Sequence, residues 1–142
     1  VTGSHGIEIK CDTCIGQENF SEIELFVLPG GMPGTKNLGA CKALTELLTA
    51  SFEAGKKLAA ICAAPSVLGD LGILKGKKAC CYPGFEEHLT GAQVVFDQVA
   101  QDGNVTTSRG MGTAIPFALS LVSQLVSEEK AQELAQSIIF KV

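Results

Sequence analysis

Cys62 is the residue whose surroundings are best suited to chemistry. A thiol becomes a strong nucleophile once ionised, and the start of a helix is one of the places that favours ionisation. The stretch Leu58-Ala59-Ala60-Ile61-Cys62-Ala63-Ala64-Pro65 reads as a strand that turns sharply into a helix. Leu58 to Ile61 is a short apolar run, as expected for a strand covered on both faces. Pro65 suits the first turn of the helix behind it, where no intrahelical donor is required. Ala60 and Ala64 stand two places to either side of Cys62, and a tight strand-to-helix turn tolerates little bulk beside a nucleophile. A free cysteine in such a run also reads as a small, inert core residue, and local pattern leaves both readings open.

The elements that must position this residue follow in chain order. Gly6 to Lys10 alternate apolar and charged residues and are expected to form a half-exposed strand. Cys11-Asp12-Thr13-Cys14 is a lone CxxC in a loop. No second pair completes a tetrahedral metal set, so no metal is expected. Leu25 to Leu28 is expected as a second buried strand, ending in the loop Pro29-Gly30-Gly31-Met32-Pro33-Gly34. Such a loop lets backbone approach a ligand closely and exposes amides. Thr35 to Ala54 reads as one helix, with Gly55 as its stop. Pro65 to Leu74 reads as a short helix interrupted by glycines, and Ala79 to Tyr82 as a strand in which Cys80 and Cys81 face opposite ways. Phe85 to Leu89 suits one helical turn.

Gln93–Phe96 and Asn104–Ser108 flank the polar turn Gln101-Asp102-Gly103-Asn104, a hairpin signal. Arg109-Gly110-Met111-Gly112-Thr113 is a second glycine-rich turn. Ala114 to Val126 has helical periodicity, with Ile115, Ala118, Leu119, Val122, Leu125 and Val126 as the expected inner face. Ser127 is placed to cap a final helix whose first turn holds Glu128 and Glu129. Alternating strands and helices predict an α/β domain with a mainly parallel sheet.

Bulk composition narrows the function. The 142 residues suit one domain and carry a net charge of −4, with Arg109 as the sole arginine, which argues against a broad nucleic-acid surface. No apolar run approaches the ~20 residues that span a bilayer, so no membrane partner is expected. The chain opens Val1-Thr2-Gly3-Ser4-His5, without the basic start and apolar core of a signal peptide. Six cysteines in a domain with a sizeable core fit a reducing cytoplasm.

Three motifs now share an order and spacing: Leu28-Pro29-Gly30-Gly31, then Ala60-Ile61-Cys62-Ala63-Ala64-Pro65, then Thr107-Ser108-Arg109-Gly110-Met111-Gly112-Thr113-Ala114. Over nearly its whole length the chain resembles the ThiJ/PfpI family. Within that family it is most similar to the branch of a Parkinson's-disease-linked deglycase/chaperone and its bacterial ThiJ relatives. The resemblance implies a flavodoxin-like three-layer sandwich, usually a homodimer, with Cys62 as nucleophile or redox-sensing thiol. It implies that the amides of Gly31 and Ala63 line an oxyanion site, and that Gly30, Tyr82 and Arg109 lie near that site or a dimer contact. It further implies that residues 1–142 are one family domain lacking a first strand–helix–strand region. That region would supply a glutamate beside the cysteine, and could remain bound as a separate piece. Without that acid the isolated chain is expected to lack its general acid/base.

Tyr82 stands where some members carry a histidine, and His88 reads as a surface residue. The expected function is cofactor-independent, cysteine-dependent chemistry on small reactive aldehydes or glycated substrates, of glyoxalase or deglycase type. The alternative is an oxidative-stress sensor and redox-regulated chaperone. PfpI-type peptidase or amidase chemistry is disfavoured, since Tyr82 replaces the histidine it would use.

Overall fold

The structure, a computed structural model, describes residues 1–141. Its central strand is the Cys62 strand. Strand β2, Lys57–Ile61, follows helices α1, Gly34–Ala40, and α2, Lys42–Glu53, which themselves follow strand β1, Leu25–Leu28. Leu58 and Ala60 point to one face of β2, and Ala59 and Ile61 to the other, as the two-residue period of a strand requires. Each set joins a separate core. Leu58 and Ala60 pack with Leu28, Leu48, Leu68 and Val105, while Ala59 packs with Phe117 and Leu121. Both faces are therefore covered, which explains the unbroken apolar run.

The chain continues through α3, Pro65–Asp70, then β3, Lys78–Ala79, a 3₁₀ turn at Glu86–His88, and β4, Gln93–Val94. Next come β5, Val99–Asp102, β6, Val105–Ser108, a 3₁₀ turn at Met111–Thr113, α4, Ala114–Leu125, and α5, Glu128–Ser137. The four-stranded sheet has the order β1-β2-β6-β5. β1 and β6 both run parallel to β2, and β5 returns antiparallel to β6. Helices α2 and α3 lie over the larger core and α4 over the smaller, which makes the expected three-layer α/β arrangement. Ser127 caps α5 by accepting the Lys130 N–H, as its sequence position suggests.

Five local expectations are corrected. Gly6 to Lys10 form no sheet strand: a single antiparallel bridge joins Thr2 and Glu8, and Ile7 and Ile9 stay exposed. Alternation specifies a strand only where a neighbour offers a ladder. The helix expected over Thr35–Ala54 breaks at Cys41, whose ψ of 98° is extended. Glycine and asparagine make α1 a weak helix, and the break lets α1 and α2 take separate directions.

The strand at Ala79 stops after two residues, because Cys80 gives its N–H to the Thr107 hydroxyl rather than to a ladder partner. The hairpin arms are β5 and β6, and Gln93–Val94 instead pairs with β3 in a separate two-stranded sheet. Lastly, α4 buries Phe117 and Leu121, leaving Ile115, Leu125 and Val126 exposed. That helix is apolar on most sides, so periodicity alone does not choose its inner face.

Cys80 and Cys81 are both buried. Burial, with the Glu86 carboxylate and Cys80 adding to it, pushes the Cys81 thiol from 9.0 up to about 11. Burial also raises Cys80. Between pH 9.0 and about 11 the unfolded chain loses a Cys81 proton that the folded chain keeps. This contribution to stability is complete below pH 9.0 and is lost as pH rises through that window, with a slope of at most about 1.4 kcal/mol per pH unit. Urea unfolding of the wild type and Cys81→Ala across this range should show the steeper decline in the wild type. Parallel declines would contradict the assignment.

Candidate functional site

The site begins where β2 ends. Cys62 has φ of +67°, in the left-handed region that a residue with a Cβ enters only at a cost. Two backbone hydrogen bonds hold it there. The Cys62 N–H donates to Ser108 O at 3.0 Å, and the Tyr82 N–H donates to Cys62 O at 2.8 Å. The chain then enters α3 with Pro65 in its first turn. This is the sharp strand-to-helix elbow expected from the sequence, and it leaves the Cys62 side chain partly exposed.

The glycine loop after β1 closes on the elbow from one side. A Cβ on Gly30 would lie 2.5 Å from Cys62 Cβ and 2.7 Å from Ile61 O, so only glycine fits. Gly31, at φ +90°, turns the loop, and its carbonyl accepts both the N–H and the hydroxyl of Thr35 at 2.9 Å. Ala63 N lies 3.2 Å from the Cβ position of Gly30, so the loop and the elbow amide are neighbours. Among the described residues the N–H groups of Gly31 and Ala63 donate to no hydrogen bond. Thus Gly30, Cys62 and Ala63 meet, with Gly31 next in the chain.

Tyr82 and Gly110 close another side. The Tyr82 ring lies against Gly110, where a Cβ would approach it at 3.3 Å. Arg109 takes a different direction. Its guanidinium sits 5.5 Å from the Phe96 ring centre, and its Nε is buried without a partner among the described residues. His88 is half exposed and stands 3.7 Å from Asp70, away from the elbow hydrogen bonds. Cys11 and Cys14 are exposed free thiols. Among the described residues no group of three or more His, Cys, Asp or Glu is placed to hold a metal ion.

Ser108 is a site residue that its type did not signal, since its contribution to Cys62 is a backbone carbonyl. Its side chain is fixed too, donating to Gln98 O at 2.7 Å and meeting the Thr113 hydroxyl at 2.7 Å. Thr113 also accepts the Gly110 N–H at 3.0 Å. The third motif is therefore a brace for the loop beneath Tyr82.

An elbow cysteine at the carboxyl end of a parallel strand, beside a glycine loop, defines a class of cysteine-centred α/β proteins. The chain belongs to the DJ-1/PfpI family, whose model matches residues 1–124. Protein DJ-1 homolog A of Arabidopsis thaliana is 42% identical over 144 residues, covering 99% of this chain and 37% of the relative. The chain thus spans about a third of that relative's length. Glutathione-independent glyoxalase DJR-1.2 of Caenorhabditis elegans is 32% identical over 134 residues, covering 94% and 72%. The crystal structure of Drosophila melanogaster DJ-1beta superposes with a TM-score of 0.94 at 37% identity, covering 100% of this chain and 77% of that one.

The left-handed backbone at Cys62 makes a stability prediction. Cys62→Gly should be more stable than Cys62→Ala by about 1 kcal/mol, because only alanine keeps the Cβ strain. Chemical denaturation of the two variants measures this. Cys62→Ala equal to or more stable than Cys62→Gly would show that the elbow is not strained.

Proposed function

We propose that the chain carries the nucleophilic half of a cofactor-independent reaction on reactive carbonyls, of glyoxalase or deglycase type. The observation that carries this reading is the partly exposed Cys62 side chain on a strained elbow, with the unspent amides of Gly31 and Ala63 nearby. The name of the nematode relative supports the substrate class.

In this reading the Cys62 thiolate adds to the aldehyde carbon of a 2-oxoaldehyde. The C–S bond forms, the carbonyl π pair moves to oxygen, and the Gly31 and Ala63 amides stabilise the resulting oxyanion. Protonation of that oxygen gives a hemithioacetal. Transfer of the C1 proton to C2 then gives a thioester of the 2-hydroxy acid, and water cleaves it to release the acid and the thiol. The proton transfer needs a general base. Among the described residues no carboxylate hydrogen-bonds the Cys62 sulfur. Tyr82 closes the site over Gly110, while the Arg109 guanidinium lies over Phe96 instead.

The reading extends to a homodimer in the cytoplasm. Among the described residues no helix is long and apolar enough to cross a membrane. Peroxide sensing uses the same sulfur, since accessible thiolates are the ones that oxidise stepwise.

Competition between methylglyoxal and iodoacetamide, read by peptide mass mapping, tests the thiol role. Methylglyoxal should protect Cys62 at a concentration at least about tenfold below that needed for exposed Cys11 and Cys14, because only Cys62 has oxyanion donors beside it. Equal protection at all three would remove the assignment.

A further inference from the structure

Beyond the elbow, a groove of about 290 Å³ runs between α1 and α3, with the 3₁₀ turn at Glu86–His88 on its rim. It starts beside the elbow. Met32, the residue after Gly31, lines it, and so does Ser66, whose hydroxyl donates to Ala63 O at 2.7 Å. Asp70 and His88 stand farther along α3 and the turn.

The hydrogen-bonding capacity of the groove is lopsided. Three hydroxyls line it, and each gives its single proton to a backbone carbonyl: Thr35 to Gly31 O at 2.9 Å, Thr45 to Lys42 O at 3.0 Å, and Ser66 to Ala63 O. A hydroxyl has one proton and two lone pairs, so all three are left with acceptor capacity alone. The Asp70 carboxylate adds a charged acceptor. His88 stands 3.7 Å from its Oδ1, and Oδ2 has no partner among the described residues. The opposing groups are the half-exposed His88 ring and Lys36, which is exposed and forms no ion pair among the described residues. Its flexible stem lets the ammonium stay in water. The free lone pairs of the three hydroxyls and the second Asp70 oxygen suit a ligand that brings N–H donors and a positive charge.

We propose that this groove binds a primary ammonium or guanidinium group. Asp70 supplies the countercharge, and Thr35, Thr45 and Ser66 supply neutral acceptors around it.

The test uses the full chain, ¹⁵N-labelled, titrated with n-butylammonium and separately with butyrate, two probes that carry no aldehyde or ketone carbonyl. Butylammonium should shift the amides of Thr35, Ser66, Val67 and Asp70 saturably, and butyrate should not. Asp70→Asn should weaken butylammonium at least about tenfold, as loss of a charge-assisted hydrogen bond does, and Asp70→Glu should restore most of the affinity. Lys36→Gln should bind as well as the wild type or better. Cys62→Ala should bind like the wild type, which separates this site from the thiol reading. Dispersed spectra report that each variant is folded. Butyrate saturating these amides as tightly as butylammonium, no saturable shift with butylammonium, or unchanged affinity in Asp70→Asn would each overturn the proposal.

Discussion

Residue 62 is held between two neighbours by its own backbone N–H and C=O. Its N–H is taken by Ser108 at the end of β6, and its C=O by Tyr82 as the chain leaves the Cys80–Cys81 segment. A Cβ-bearing residue at φ +67° is unfavourable by about 1–3 kcal/mol, and such a conformation persists only where the surroundings over-determine it. Here the surroundings do so from three parts of the chain distant in sequence: Ser108, Tyr82 and the Gly30 loop. Ser108 is in turn fixed by Gln98 and Thr113, so the elbow inherits the rigidity of the β5–β6 hairpin and the start of α4.

The same constraint explains the small residues around the cysteine. Ala59 and Ala60 are fully buried on opposite faces of β2, and Ala63 and Ala64 are buried at the turn. Larger side chains at any of these would push a helix off the sheet or the glycine loop off the elbow. Gly69 serves a similar end on α3, where a Cβ would overlap His88 O of the 3₁₀ turn. Close approach of backbone to backbone, rather than bulky packing, shapes this end of the molecule. The buried Cys80 and Cys81 contrast with Cys62: they have the same functional group, but burial keeps them as protonated core side chains.

Much of this was legible from residue order. The buried strand at Leu58–Ile61, Pro65 at the helix start and the Cys62 elbow follow from local sterics, which the residue types themselves impose. The cap at Ser127 is likewise a local effect. What escaped was decided by partners remote in sequence. Ile7 and Ile9 alternate correctly but have no strand to pair with. Phe117 and Leu121 became the inner face of α4 because Ala59 leaves room for them, a fact written on another element. Ser108 matters through a carbonyl that every residue possesses, so its type carried no signal. The groove along α3 was equally invisible, because its character depends on where three hydroxyl protons go.

The central claim is that the loop after β1 presses on the elbow closely enough to set how the Cys62 sulfur is presented. Native-state alkylation by iodoacetamide, resolved cysteine by cysteine, tests it directly in the wild type and in Gly30→Ala. The added methyl meets Cys62 Cβ at 2.5 Å and Ile61 O at 2.7 Å, so the elbow must shift. The Cys62 rate should change at least about tenfold while the exposed Cys11 and Cys14 keep their rates, since thiol reactivity follows its immediate surroundings. An unchanged Cys62 rate in a folded Gly30→Ala chain would contradict the account.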